Sequence, residues 1–147
     1  MVSGGVRDTG PMGTVDDFLA SRSRIAMLSS LRRDGRPLTV PVWFDWDGAV
    51  VRMFAGAGSP KIARLERDPR VTVVVANESD EPEFWVAFDG DVRIDDQGGL
   101  ALAEQLAPRY WDLTDPKQEA ALDAWREAGD GAFKLIVLEP TAVRSYA

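Results

Sequence analysis

The chemistry-bearing stretch of this sequence is Gly56 to Asp68, where Gly-rich backbone runs into Ser59-Pro60-Lys61 and then a helical pattern to about Arg67. Ser59 fits an N-cap and Pro60 the first helical position, which puts Lys61 in the first turn. A helix N-terminus carries unpaired N–H groups and partial positive charge, so it suits an anion. A lysine there opposes the helix dipole unless an anion is present. Gly58, Ser59 and Lys61 are therefore candidate anion-binding residues, and Arg64 and Arg67 continue the row of Lys61 at helical spacing. An ordinary capped helix with a solvated lysine would read the same way. The chain holds only three lysines, at 61, 117 and 134.

Two further segments could face a ligand. In Pro37 to Trp46, alternation sets Val40, Val42 and Phe44 on one face and Thr39, Pro41, Trp43 and Asp45 on the other. Pro41 cannot donate to a ladder, so the strand is an edge there or faces a ligand. In Phe84 to Val92, Trp85 could stack on a planar ligand, fill the core or lie in a dimer interface. Trp111 and Trp125 fall at helical positions and read as core or interface. The acidic stretch 77–83 reads as a solvated loop.

Side-chain inventory narrows the chemistry. There is no histidine and no cysteine. A Ser-His-Asp hydrolase, a thiolate metal site and a His-rich zinc site are excluded, and for an enzyme of this composition the expectation is that a cofactor carries the reaction. The net charge of −7 over 147 residues argues against non-specific nucleic-acid binding. No apolar run is long enough to span a bilayer as a helix, and residues 1–14 lack a signal-peptide core, so a cytoplasmic protein is expected.

The elements that must position these residues follow from the pattern. Residues 1–13 read as a disordered tail, and 14–147 as one domain. Thr14 would cap a short helix containing Asp16, Asp17, Phe18 and Leu19. Strands are expected at Ile25 to Leu31, Leu38 to Trp46, Ala49 to Phe54, Val71 to Ala76, Phe84 to Ile94, Phe133 to Leu138 and Ala142 to Tyr146. Asp34-Gly35 and Asp47-Gly48 mark hairpin turns. Helices are expected to Arg67 after Ser59, at Leu100 to Leu106 and at Pro116 to Ala128. Antiparallel strands on tight turns with few helices predict a mainly β, closed or nearly closed barrel.

In this order the segments resemble the pyridoxamine 5′-phosphate oxidase-like split-barrel family, from about Val15 to Tyr146. The resemblance rests on Asp34 to Pro37, Val40-Pro41-Val42-Trp43-Phe44, the Trp46 to Gly48 hairpin, Gly58 to Val71, Asp89-Gly90 and the last strand before Pro140. Gly58 to Val71 is similar to the actinobacterial branch that uses the deazaflavin coenzyme F420, more than to the FMN oxidases. The resemblance implies an antiparallel, Greek-key split barrel that dimerises and holds its cofactor at the interface. It implies phosphate binding by Ser59 and Lys61, a ring wall of Pro41, Val42 and Trp43 acting largely through backbone, and aromatic contributions from Trp85 and Tyr146. The activity implied is hydride transfer between the cofactor, F420 or alternatively FMN, and a small organic acceptor; a non-catalytic carrier or sensor is the other reading. Arg64 replaces the usual asparagine and could meet an acidic cofactor tail or point to solvent. Lys134 stands where an arginine is common. Arg36, Arg64, Arg67 and Arg70 clustering beyond Lys61 would favour the deazaflavin. The proton donor would be water, Tyr110, Tyr146, a carboxyl group or the substrate.

Overall fold

The computed structural model describes residues 12–146. The tail expected over 1–13 lies outside these residues except at its end, where Met12 and Gly13 already belong to helix α1 (Met12–Ala20). Thr14 is therefore inside the helix rather than capping it. What sets this helix in place is burial: Val15 is 1% exposed, and Phe18 and Leu19 pack against the core beside it.

The remaining elements are β1 (Ala26–Leu31), β2 (Pro37–Val42), β3 (Asp45–Trp46), β4 (Val51–Gly56), α2 (Pro60–Arg67), β5 (Arg70–Ala76), β6 (Trp85–Asp95), α3 (Gly99–Tyr110), α4 (Pro116–Ala128), a short 3-10 turn (Asp130–Ala132), β7 (Phe133–Leu138) and β8 (Ala142–Ser145). The strands form one antiparallel path, β2-β1-β5-β6-β7-β4-β3, with β8 paired to β6. β2 and β3 lie at opposite ends of that path, yet only Trp43 and Phe44 separate them in the chain. The sheet thus curls back on itself as a split β-barrel.

The single strand expected from Leu38 to Trp46 is accordingly two strands. β2 ladders with β1, ending at the pair Ala26 and Val42, and β3 ladders with β4. One strand cannot serve both neighbours, so pairing stops where Phe44 turns into the core at 6% exposure. Pro41 sits opposite Met27 on β2, whose outer edge has no partner among the described residues, as a residue without an N–H requires.

β6 makes the complementary bend. Its first part pairs with β5 and its last four residues with β7. Gly90 stands near the bend, where a Cβ would lie 3.0 Å from Leu138 Cδ1 and 3.2 Å from the Glu139 carbonyl oxygen. Inside the barrel, Leu28, Val51, Met53, Val73, Val75, Phe88, Ile136 and Leu138 meet Ile62 and Leu65 of α2, which plugs the core. Each such side chain contributes about 1.5–3 kcal/mol by leaving water.

α3 packs on β4 and β7 through Leu102, Ala103, Leu106 and Ala107. It continues past its expected end at Leu106, through Pro108, to Tyr110. Proline removes one helical hydrogen bond, but the buried face of the preceding turn holds the helix on the sheet.

Candidate functional site

Helix α2 begins as its sequence suggests. Ser59 has extended backbone (φ −73°, ψ 152°), and its Oγ accepts a hydrogen bond from the Ile62 N–H at 3.3 Å. Pro60 occupies the first turn, and the buried Ile62 and Leu65 fix the helix direction. Lys61 is thereby held at the mouth of a cleft of about 350 Å³, lined by Ile25, Pro41, Val42, Trp43, Phe54 and Lys61.

The fold therefore brings together four of the expected residues, Pro41, Val42, Trp43 and Lys61. Ile25 and Phe54 join them without having been anticipated. Alternation had a signal for both: Phe54 on β4, and Ile25 just before β1, have the opposite parity to the core residues beside them. The cleft is apolar apart from Lys61, and no carboxylate lines it.

Lys61 is half-buried. Its pKa is lowered, first by desolvation and then by the neighbouring Arg64 guanidinium. Arg64 is likewise pushed down by burial and by Arg67 and Arg32. Among the described residues, no carboxylate comes within ion-pairing distance of Arg32, Arg33, Arg36, Lys61, Arg64 or Arg67. In a chain of net charge −7, α2 and the start of the β1–β2 hairpin thus gather Arg32, Lys61, Arg64 and Arg67 into a shelf of positive charge with no carboxylate partner among the described residues.

The shelf differs in membership from the expected one. Arg70 turns away to make a bidentate pair with Asp68 (3.0 and 2.8 Å), while Arg32 joins through the hairpin. Arg64 neither reaches freely outward nor lies in solvent: its Nε donates to Ser30 Oγ at 2.8 Å. Arg67 donates to the Leu31 carbonyl at 3.0 Å, which lashes the helix to the hairpin. Lys134 is removed from the shelf by Asp96 and Glu66, at 3.2 and 3.5 Å, and these acids raise its pKa.

Other expected residues stand apart. Trp85 and Tyr146 adjoin one another, the Tyr146 N–H donating to the Trp85 carbonyl at 3.0 Å, and neither lines the cleft of its own chain. Gly58 is exposed, and a Cβ there would meet nothing within 4 Å, so no close approach in this chain calls for glycine.

Trp111 and Trp125 belong to an aromatic cluster around Trp43, with centroids 4.9 and 6.0 Å from its ring, and Phe54 stands at 6.0 Å. Tyr110 stacks on Trp43 at 4.8 Å and 7°. Its hydroxyl donates to the Arg24 carbonyl, and burial raises its pKa. That proton is engaged, which makes Tyr110 a poor acid for chemistry in the cleft.

Comparison with known proteins adds relatives to this geometry. The family model described as pyridoxamine 5′-phosphate oxidase matches residues 13–147. No curated protein matches the chain. Among solved structures, the chain is similar to an F420 reductase at 28% identity and a TM-score of 0.68, over 86% of this chain and 94% of that one. It shares its fold with a conserved hypothetical protein from Mycobacterium tuberculosis (21% identity, TM-score 0.67, 96% and 86% covered). It also shares it with general stress protein 26 from Bacillus anthracis (20% identity, TM-score 0.63, 92% of both chains).

Proposed function

The chain belongs to the pyridoxamine 5′-phosphate oxidase family, and from that premise we propose that it is an oxidoreductase moving a hydride between the deazaflavin coenzyme F420 and a small organic acceptor. The observation that carries this reading is the row of Arg32, Lys61, Arg64 and Arg67, without a carboxylate partner among the described residues, beside an apolar cleft. FMN ends in one phosphate, which Lys61 alone could meet. The deazaflavin carries a phosphodiester and a glutamate tail, and it needs the longer row of cations. The similarity to an F420 reductase supports the same choice.

The residues present fit such a group. Lys61 would meet the phosphate, and its lost hydration would be replaced by a charge-assisted hydrogen bond. Pro41, Val42 and Trp43 would flank the ring. When bound, the deazaflavin supplies the hydride. The chain contributes orientation, distance and a site without competing acids. With no carboxylate lining the cleft and the Tyr110 proton engaged, the remaining proton sources are water, the substrate and Tyr146 of the partner subunit.

The working unit is a homodimer. Ile25 and Met27 are 44% and 39% exposed on the outward side of β1, and Met27 lies in register with Pro41 and Val74. That apolar strip continues from the cleft, and a second copy covering it would close the pocket. Trp85 and Tyr146 are then available to the partner's site.

Titration of the purified protein with F420 and with FMN, read by tryptophan quenching at two salt concentrations, tests the assignment. The deazaflavin should bind more tightly and lose more affinity as salt rises, because more charges are engaged. Equal or tighter FMN binding at the same salt would move the protein to the FMN branch.

A further inference from the structure

We infer that Tyr110 is a positioning residue, which sets the angle of the Trp43 wall from behind and so fixes the width of the cleft without touching what binds there. The binding part of this inference rests on the cofactor reading above; the hold of Tyr110 on Trp43 does not.

Three contacts converge on Tyr110. Its ring lies parallel to the Trp43 indole, centroids 4.8 Å apart. Its hydroxyl donates to the carbonyl of Arg24, two residues before β1, and accepts the Phe44 N–H at 3.5 Å. Both backbone groups lie just beyond the last β1–β2 pair, Ala26 with Val42, and before β3 begins at Asp45. They are polar groups for which the ladder provides no partner, and buried backbone groups require one. One phenol thus ties the chain segments on either side of the barrel seam and presses its ring on the residue between them.

The stacked pair also divides two cavities. Trp43 lines the cleft of about 350 Å³ that holds Lys61. Tyr110 lines a groove of about 680 Å³ on the other side, with Phe44, Asp45, Trp46 and Arg109. Next to Tyr110 in sequence, Arg109 reaches Asp45 at 3.1 Å, a second tether from the end of α3 to β3. Trp111 meets the indole nearly perpendicularly, at 83°. The indole is therefore stacked against Tyr110 and meets Trp111 nearly at right angles. Offset-stacked and edge-on aromatic contacts are directional, and losing the stacked ring frees Trp43 to tilt. Groups that fix the rotamer of a binding residue govern affinity through geometry.

The test compares Tyr110→Phe, which keeps the stack and loses the hydroxyl, with Tyr110→Leu, which loses both. Val92→Ala, a buried truncation in β6 opposite Leu138 and outside the aromatic cluster around Trp43, controls for general loss of stability. Near-ultraviolet circular dichroism and acrylamide quenching of tryptophan are read on ligand-free protein, and dissociation constants on titration with F420 and with FMN. Tyr110→Leu should change the aromatic circular dichroism and open tryptophan to acrylamide. It should also weaken the bound cofactor about three- to tenfold, with Tyr110→Phe recovering most of each effect. Val92→Ala should lower the melting temperature and leave both spectrum and affinity near wild type. A wild-type aromatic spectrum in Tyr110→Leu, or an affinity loss matched by Val92→Ala, would overturn the inference. If wild-type protein binds neither cofactor, the cofactor reading fails, and the ligand-free spectra still decide whether Tyr110 holds Trp43.

Discussion

Arg64 of α2 and Ser30 of β1 are joined by a 2.8 Å hydrogen bond, although Ser30 is only 3% exposed and the arginine stands among like charges. A neutral hydroxyl orients the guanidinium without neutralising it, so its charge remains available to a ligand. Arg64→Ala should weaken F420 by about tenfold and FMN by less, on the scale of one hydrogen bond to a charged group. Ser30→Ala should keep the charge, lose its aim and have a smaller effect. Paired titrations on the two variants measure both; equal losses for F420 and FMN would place Arg64 outside any tail contact.

Lys61→Ala should raise the cofactor dissociation constant about ten- to a hundredfold, from the loss of roughly 1.5–3 kcal/mol of charge-assisted hydrogen bonding. The unliganded protein should be unharmed or slightly more stable, since the lysine is desolvated beside Arg64 and its pKa is lowered. The sign follows from proton counting. The folded state releases this proton at lower pH than the unfolded state, so between the two pKa values stability rises with pH. The alkaline rise should vanish in Lys61→Ala melts, whereas Lys117→Ala should retain it.

Met27→Asp should convert a dimer into a monomer. Met27 is the exposed centre of the apolar strip on β1, and a carboxylate buried there in a subunit contact would lack a partner. Sedimentation of wild type and variant at micromolar concentration decides it. A monomeric wild type that still binds cofactor would refute the two-chain pocket.

Acid should unfasten the 77–83 loop. Arg24, 3% exposed, grips both carboxylate oxygens of Glu81 at 2.7 Å while its guanidinium lies 3.7 Å above the Phe18 ring. This pairing, with the Glu78 N–H, lowers the Glu81 pKa from 4.5 to about 2. A carboxylate with a depressed folded pKa contributes stability above its unfolded pKa and loses it as pH falls through the folded one. Melting temperature should therefore drop between pH 5 and 2, which spans these values. Glu81→Gln should melt lower at neutral pH and show a shallower acid slope. An unchanged slope would mean that other carboxylates, such as Asp47 (pKa about 2), dominate.

Gly99→Ala should cost about 1–3 kcal/mol, the usual range for overpacking. A Cβ at this first residue of α3 would sit 2.8 Å from Phe133 Cβ and 3.0 Å from the Lys134 carbonyl carbon. Chemical denaturation measures the loss. Gly58→Ala, with open space around it, is the control that should change stability little.

Local signals in the chain were sufficient for much of this. Ser59-Pro60 announces α2, Asp34-Gly35 the hairpin and Pro41 an edge position, because caps, positive-φ turns and a missing N–H act over a few residues. Residue types also limited the chemistry: without histidine or cysteine, a Ser-His-Asp hydrolase and a thiolate metal site are excluded. The alternation of β2 placed Pro41 and Val42 on opposite faces, and the structure exposes the first and buries the second. It could not show that pairing changes partner between Val42 and Asp45, since the ladder with β1 and the ladder with β4 are long-range contacts.

Sequence alone thus determined the element types, the Lys61 helix start and the resemblance to a split-barrel family, all of which are local or ordered along the chain. Only the tertiary structure decided which charges stay free. Arg32 and Arg64 lie 32 positions apart and meet because α2 packs against β1, while Arg70 and Lys134 are withdrawn by Asp68, Asp96 and Glu66. It also decided that Tyr110, far along the chain, backs Trp43. Charge pairing and aromatic stacking depend on distances of a few ångströms, and the closing of the barrel sets those distances.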